Sequence, residues 1–203
     1  MINTIVFDLG AVLIDWNPRY LYRKIFKEEK DMEWFLANVC SHEWNNELDA
    51  GLDMVKETRD LALQFPQFEA EIEAYYQRWE EMLGSQIDGT VEILKTIRDS
   101  GDYRLLALTN WSHQTFPITR QKFDFLSWFE GIVVSGDESL KKPDSEIYRV
   151  LINRYDILPS ASVFIDDSKP NIDTAIRLGF SAVHFKGPEK LRTDLIDLGL
   201  LRN

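Results

Sequence analysis

Phe7-Asp8-Leu9-Gly10-Ala11-Val12-Leu13-Ile14-Asp15 is the stretch on which the reading of this chain turns. The residues that lead into it, Thr4 to Phe7, form a short apolar and partly β-branched run, which predicts a buried strand that ends on an acidic residue. Four more runs share that character: Leu105 to Leu108, Ile132 to Val134, Val163 to Ile165 and Ala182 to Phe185. Amphipathic stretches alternate with them, as in a parallel sheet covered on both faces, so the expected class is a doubly wound α/β fold. The interval between the first and second runs is unusually long. From Pro18 to Leu83 it is helix-like, rich in Trp, Glu and Leu, and carries no convincing strand. This predicts a small all-helical unit at residues 16–84, inserted into a core made of residues 1–15 and 85–203. Within it, Glu71 to Met82 reads as one amphipathic helix with a solvated face. Ser85 to Thr90 reads as a turn-like return, and Val91 to Arg98 as a core helix closing near Gly101.

Ligands of an open parallel sheet bind in the crevice at the carboxyl ends of its strands. Asp8, Thr109-Asn110, Lys142 and Asp166-Asp167 all follow predicted strands, so the fold would bring them together. Each has a plainer reading. Lys142-Pro143 can simply lead into a helix capped by Asp144, and Asp166-Asp167-Ser168 can cap a helix from Pro170 to Leu178. Two adjacent acids after a buried strand nevertheless repel each other unless a cation or a lysine sits between them. Asn171 is either a partner of that acidic loop or a local polar residue of a first helical turn.

The bulk composition narrows the partners. With 203 residues, of which 44% are hydrophobic, the chain can bury a sizeable core. Its 34 acidic and 23 basic side chains leave a formal charge of −11, which repels nucleic acid and anionic membrane surfaces. Cys40 is the single cysteine, so no intramolecular disulfide can form. Met1-Ile2-Asn3 leads into a strand instead of a basic and apolar leader, and no apolar stretch approaches the ~20 residues that span a bilayer. The expectation is a soluble protein of the reducing cytoplasm, acting on a small molecule. The oligomeric state is not encoded in any feature of the sequence.

Together with Leu108-Thr109-Asn110, Lys142-Pro143-Asp144 and Phe164-Ile165-Asp166-Asp167, the opening stretch resembles, in order, the four motifs of the haloacid dehalogenase-like (HAD) hydrolase superfamily. The Asp-Leu-Gly opening resembles the branch that contains bacterial glucose-1-phosphate phosphatases. The resemblance spans essentially the whole chain, with Ala11 to Leu83 matching a flap and helical cap over a Rossmann-like core. It implies that Asp8 is a nucleophile that takes up a phosphoryl group, and that magnesium (Mg2+) is held by Asp8, the Gly10 backbone carbonyl and Asp167. Asp166 would orient Lys142 or a metal-held water, and which of the two adjacent acids meets the metal stays open. Lys142, Thr109 and the Asn110 amide would bind the phosphoryl oxygens. The chemistry needs that positive charge, since two like unit charges ~4 Å apart cost about 4 kcal/mol at an effective dielectric near 20.

One departure stands out. Most phosphatases of the superfamily carry a second aspartate two residues after the nucleophile as general acid and base, where this chain has Gly10. Asp15 is an available carboxyl, though it reads first as a hinge-loop cap. Specificity would come from the cap, where Trp16, Asn17, Arg19, Tyr20, Arg23, His42, Trp44 and Asn45 could face the crevice. Trp44 and Trp111 read as core aromatics before substrate platforms, and His113 as a solvated loop imidazole. Three functions follow: a phosphatase of a small phosphorylated metabolite such as a sugar phosphate, a 2-haloacid dehalogenase in which Asp8 displaces halide from carbon, or a non-catalytic binding protein of the same fold. The Asp166-Asp167 pair has the character of a metal site and favours the first.

Overall fold

The computed structural model describes residues 1–202. Strand β1 (Thr4–Phe7) is followed by β2 (Ile14–Trp16), and then by the helices α1 (Arg19–Tyr22), α2 (Glu29–Asn38), α3 (His42–Asp49), α4 (Met54–Gln64) and α5 (Glu69–Gln77). The chain returns through β3 (Leu83–Gln86) and α6 (Asp88–Ser100) to β4 (Arg104–Thr109), α7 (Phe116–Lys122), β5 (Gly131–Val134), α8 (Ser135–Glu138) and α9 (Ser145–Tyr155). It finishes with β6 (Ser162–Asp166), α10 (Lys169–Arg177), β7 (Ser181–His184) and α11 (Pro188–Asp197).

Five strands make one parallel sheet in the order β5-β4-β1-β6-β7. They are the five runs legible in the sequence. All four residues of β1 are buried, because a parallel sheet is covered on both faces. Successive side chains still point to opposite sides. Ile5 and Phe7 pack with Val91, Leu94, Leu191 and Leu195 from α6 and α11, whereas Val6 packs with Ile147, Leu151 and Ile172 from α9 and α10. The connection from β5 to β6 crosses from one side of β1 to the other, which opens a crevice at the carboxyl ends of β4, β1 and β6.

The helical insertion lies between β2 and β3. Its packing is aromatic: Tyr22 meets Phe35 at 5.0 Å between ring centroids, Phe26 meets Phe35 at 5.2 Å, and Phe35 meets Phe68 edge-on at 5.5 Å. Tyr22 satisfies its hydroxyl by donating to the Glu71 carbonyl at 3.0 Å. Cys40 is buried nearby, where burial pushes its thiol up to about 12 and keeps it unreactive.

Two expectations for this region are corrected. Leu83–Gln86 is a strand, antiparallel to β2, with Ile14 opposite Gln86 and Trp16 opposite Leu83. The two passages between core and insertion thus run side by side, each supplying the other's hydrogen-bond partners. Asn17 N donates to Met82 O and Ile87 N to Leu13 O, both at 2.9 Å. Nor is Glu71 to Met82 one helix. It ends at Gln77, and Trp79–Met82 forms a 3₁₀ turn that buries Trp79 and Met82 in the main core. Burial of those two side chains outweighs continuation of an isolated amphipathic helix.

At Gly51 the insertion touches the core backbone to backbone. Gly51 has φ +101°, and a Cβ there would lie 2.9 Å from the Gly136 carbonyl oxygen. Beside this contact, Ser135 Oγ donates to the Asp49 carbonyl at 2.5 Å and accepts from Trp111 N at 2.8 Å.

Candidate active site

The carboxyl ends of three neighbouring strands supply the acidic residues and the hydroxyl. Asp8 follows β1, Thr109 ends β4 and Asp166 ends β6, so strand register alone makes them neighbours. Lys142 arrives from the α8–α9 connection, and its Nζ lies 2.9 Å from Asp8 Oδ1 and 2.7 Å from Asp166 Oδ2. Oxygens of Asp8, Asp166 and Asp167 all fall within 4.8 Å of one another. The convergence expected from sequence holds for Asp8, Asn110, Lys142 and Asp167, which line one cavity of about 520 Å³ between core and insertion; Thr109 and Asp166 are buried behind its wall.

Burial pushes the Asp8 carboxyl above its ordinary value, against the pull of Lys142, and the charges of Asp166 and Asp167 add to the rise. Burial alone would lower Lys142, but attraction to Asp166 and Asp8 outweighs it and holds the ammonium above the usual lysine range. Asp167 is raised by desolvation first and by Asp166 second. Three carboxylates around a single ammonium leave an excess of negative charge, which is the donor set of an oxygen-ligated divalent cation.

Those carboxylates differ in what they have free. Asp166 is fully buried and accepts four bonds, from Lys142 Nζ, from Ser168 N at 2.8 Å, and from Asn171 Nδ2 at 3.0 and 3.1 Å. Asn171 is therefore a partner of the acidic loop. Asp167 is exposed, and among the described residues no side-chain donor holds its carboxylate at hydrogen-bond distance. Of the two adjacent acids, Asp167 has the freer carboxylate, while Asp166 fixes Lys142 and Asn171.

Asn110 lines the cavity with its side chain already engaged. Its carboxamide receives Lys142 N at 2.8 Å and donates to Lys142 O at 3.0 Å, clamping the lysine main chain instead of facing the cavity with a free amide group. Lys142–Pro143 is a cis peptide bond, and Asp144 does cap α9, accepting from Glu146 N at 3.0 Å. The cap reading of that motif holds, and it leaves Lys142 in the lining of the cavity. Thr109 Oγ1 is buried and has no hydrogen-bond partner among the described residues.

Among the residues considered for specificity, Trp16, His42, Asn45 and Trp111 line the cavity. Trp44 packs edge-on against Tyr75 at 4.9 Å, Arg19 is paired with Glu33, and Arg23 with Glu29. Asp15 accepts from Tyr20 at 2.5 Å beside the hinge strands, so it is committed there. His113 is half-buried, with its Nδ1 enclosed, and is not the solvated loop imidazole expected. The residue that sequence reasoning missed is Asp49. It lines the cavity from the end of α3, and its carboxyl accepts from Asn45 Nδ2 at 3.0 Å. Within His42–Asp49 nothing sets it apart from Glu43 and Glu47, since only the tertiary contact with the core turns it inward.

Against known proteins, the family model described as haloacid dehalogenase-like hydrolase matches residues 5–185. Flavin mononucleotide hydrolase 1 of Arabidopsis thaliana is 31% identical over 119 residues, 57% of this chain and 46% of that protein, so the chain matches less than half of that relative's length. The phosphorylated carbohydrates phosphatase of Thermotoga maritima is 22% identical over 90% of this chain and 84% of that one. A solved enzyme of Bacteroides thetaiotaomicron, in complex with magnesium and inorganic phosphate, superposes with a TM-score of 0.68 at 21% identity, covering 92% of this chain and 96% of that one.

Proposed function

The chain belongs to the haloacid dehalogenase-like hydrolases, and on that premise we propose that it is a magnesium-dependent phosphatase of small phosphorylated metabolites that carries the phosphoryl group on Asp8. The observation that supports this reading is the cluster of three carboxylates within 4.8 Å around one buried lysine. Displacement of halide from carbon requires no cation, and a pure binding protein gains nothing from concentrating like charge in this way.

Asp8 attacks phosphorus as the ester oxygen leaves, giving an acyl-phosphate that water then hydrolyses. Bonds from Leu9 N at 2.7 Å and from Lys142 fix the rotation of its carboxylate. Asp8, the Gly10 carbonyl and Asp167 would hold Mg2+, which when bound supplies the positive charge that lets a phosphate dianion approach a carboxylate. Lys142 balances charge on the same face, and Thr109 Oγ1 donates to a phosphoryl oxygen where charge develops. Asn110 positions Lys142 through its main chain. The cavity, with Trp16, Trp79 and Trp111 beside Asn45, Asn46 and His42, suits a ring-bearing, hydroxyl-rich leaving group. The names of the two curated relatives also concern phosphate esters.

The test is phosphate release from a panel of sugar phosphates, including anomeric ones, flavin mononucleotide and aryl phosphates, with magnesium or with EDTA. Magnesium-dependent release on at least one member is expected. Chloride release from 2-haloacids that is insensitive to EDTA, with no phosphate release, would replace this reading by the dehalogenase one.

A further inference from the structure

We propose that Asp49, on the helical insertion, is the acid that protonates the departing oxygen and the base that then takes a proton from the attacking water; this assignment rests on the phosphatase reading of the cavity. In-line transfer to Asp8 requires the ester oxygen to leave on the side of phosphorus opposite Asp8. Asp8 is on the core floor, so the leaving oxygen points toward the insertion. An alkoxide needs a proton as it departs. Gly10 brings no side chain, and Asp8 and Asp167 belong to the carboxylate cluster. Asp49 is the remaining carboxyl among the residues that line the cavity.

Its surroundings fit the task. Asn45 Nδ2 holds one carboxyl oxygen at 3.0 Å, and Tyr75, from α5, donates in turn to Asn45 Oδ1, so the carboxamide cannot rotate freely. The main chain is anchored by Ser135 Oγ at 2.5 Å and by the Gly51–Gly136 contact. Burial pushes Asp49 up to about 7, against the pull of the Ser112 N–H, the Asn45 carboxamide and the Lys141 charge. Glu47 pairs Lys141 at 2.6 Å and moderates that charge, while His42 lines the wall from the start of the same helix. A carboxyl in this range is protonated often enough to act as an acid near neutral pH and is basic enough to recover the proton.

The steps balance. As the Asp8–phosphorus bond forms and the phosphorus–ester bond breaks, the Asp49 proton goes to the ester oxygen, giving a neutral alcohol and an Asp49 carboxylate. Water then attacks phosphorus, the acyl-phosphate bond breaks to restore the Asp8 carboxylate, and the water proton returns to Asp49 as hydrogen phosphate leaves.

The experiment compares Asp49→Asn with the native enzyme on an aryl and an alkyl phosphate, p-nitrophenyl phosphate and a sugar 6-phosphate, with magnesium. Asparagine keeps the size and an acceptor but has no proton to deliver. The kcat/KM for the alkyl phosphate is expected to fall by about 10²–10⁴-fold, and that for the aryl phosphate by far less, because a phenolate leaves without a proton. Native kcat/KM on the alkyl phosphate is also expected to decline above about pH 7, with a flatter aryl profile, a readout that does not depend on the variant folding. Equal losses on both substrates, no loss on either, matching pH profiles, or a native enzyme active on aryl but on no alkyl phosphates would each overturn the assignment. A native enzyme that releases phosphate from neither class overturns the phosphatase reading itself.

Discussion

At Thr109 a buried hydroxyl lacks a partner among the described residues, which separates its role in folding from its role in binding. An unsatisfied buried hydroxyl costs about 1–3 kcal/mol, so Thr109→Val, nearly the same shape, is expected to leave stability unchanged or raise it by that order. The same change removes a donor to the phosphoryl group and should lower kcat/KM. Urea denaturation and initial rates measured side by side decide the point, and a variant that loses stability would mean that the hydroxyl is satisfied in the folded protein. Asp49 offers a second separation. Its carboxyl rises from the ordinary 3.8 to about 7 on folding, so between those values the folded state holds a proton that the unfolded state has released. The native protein then loses stability from this group as pH rises through that window. In EDTA, Asp49→Asn should flatten that part of the fall, measured as the difference in unfolding midpoint between about pH 4 and pH 7.

Elements differ in how openly the sequence declares them. The strands of the parallel sheet are short apolar runs that owe little to their neighbours, and the helices α6 and α10 begin and end within a few residues of where turn chemistry puts them. Asp8 and Asp167 were legible because residues at strand ends are brought together by topology alone, whereas Lys142 comes in from the connection between α8 and α9. The pairing of β3 with β2 was not. Leu-Gly-Ser-Gln has no apolar alternation, and its partner lies on the other side of the whole insertion. The break after Gln77 was hidden for a similar reason, since Trp79 turns inward to meet Trp111 at 5.9 Å, a contact no local pattern encodes. The engagement of the Asn110 carboxamide with the Lys142 main chain was not legible either, since it joins two segments far apart in the chain. Asp49 lies in the same category, an ordinary helical acid until the core is laid beneath it.

For the molecule as a whole, no helix among the described residues is long and apolar enough to cross a membrane. Three carboxylates lie together where core and insertion meet. A cation that binds the folded state alone stabilises it by mass action, so millimolar magnesium is expected to raise the melting temperature of the EDTA-treated protein. Asp167→Ala should abolish most of that rise, and a shift of equal size in the variant would place the ion elsewhere. The insertion is also held to the core at Gly51. A methyl group there would meet the Gly136 carbonyl at 2.9 Å on a backbone with φ +101°, so Gly51→Ala should destabilise the protein by about 1–3 kcal/mol. It should also raise KM for the best substrate of the panel, which steady-state kinetics would read. Most parts of a protein meet through side chains, which yield by changing rotamer. At Gly51 and Gly136 the two halves meet peptide on peptide, and a peptide group has no rotamers to give. At that point the joint behaves as a mechanical stop: two residues after Asp49, the insertion cannot move closer to the core without re-routing backbone.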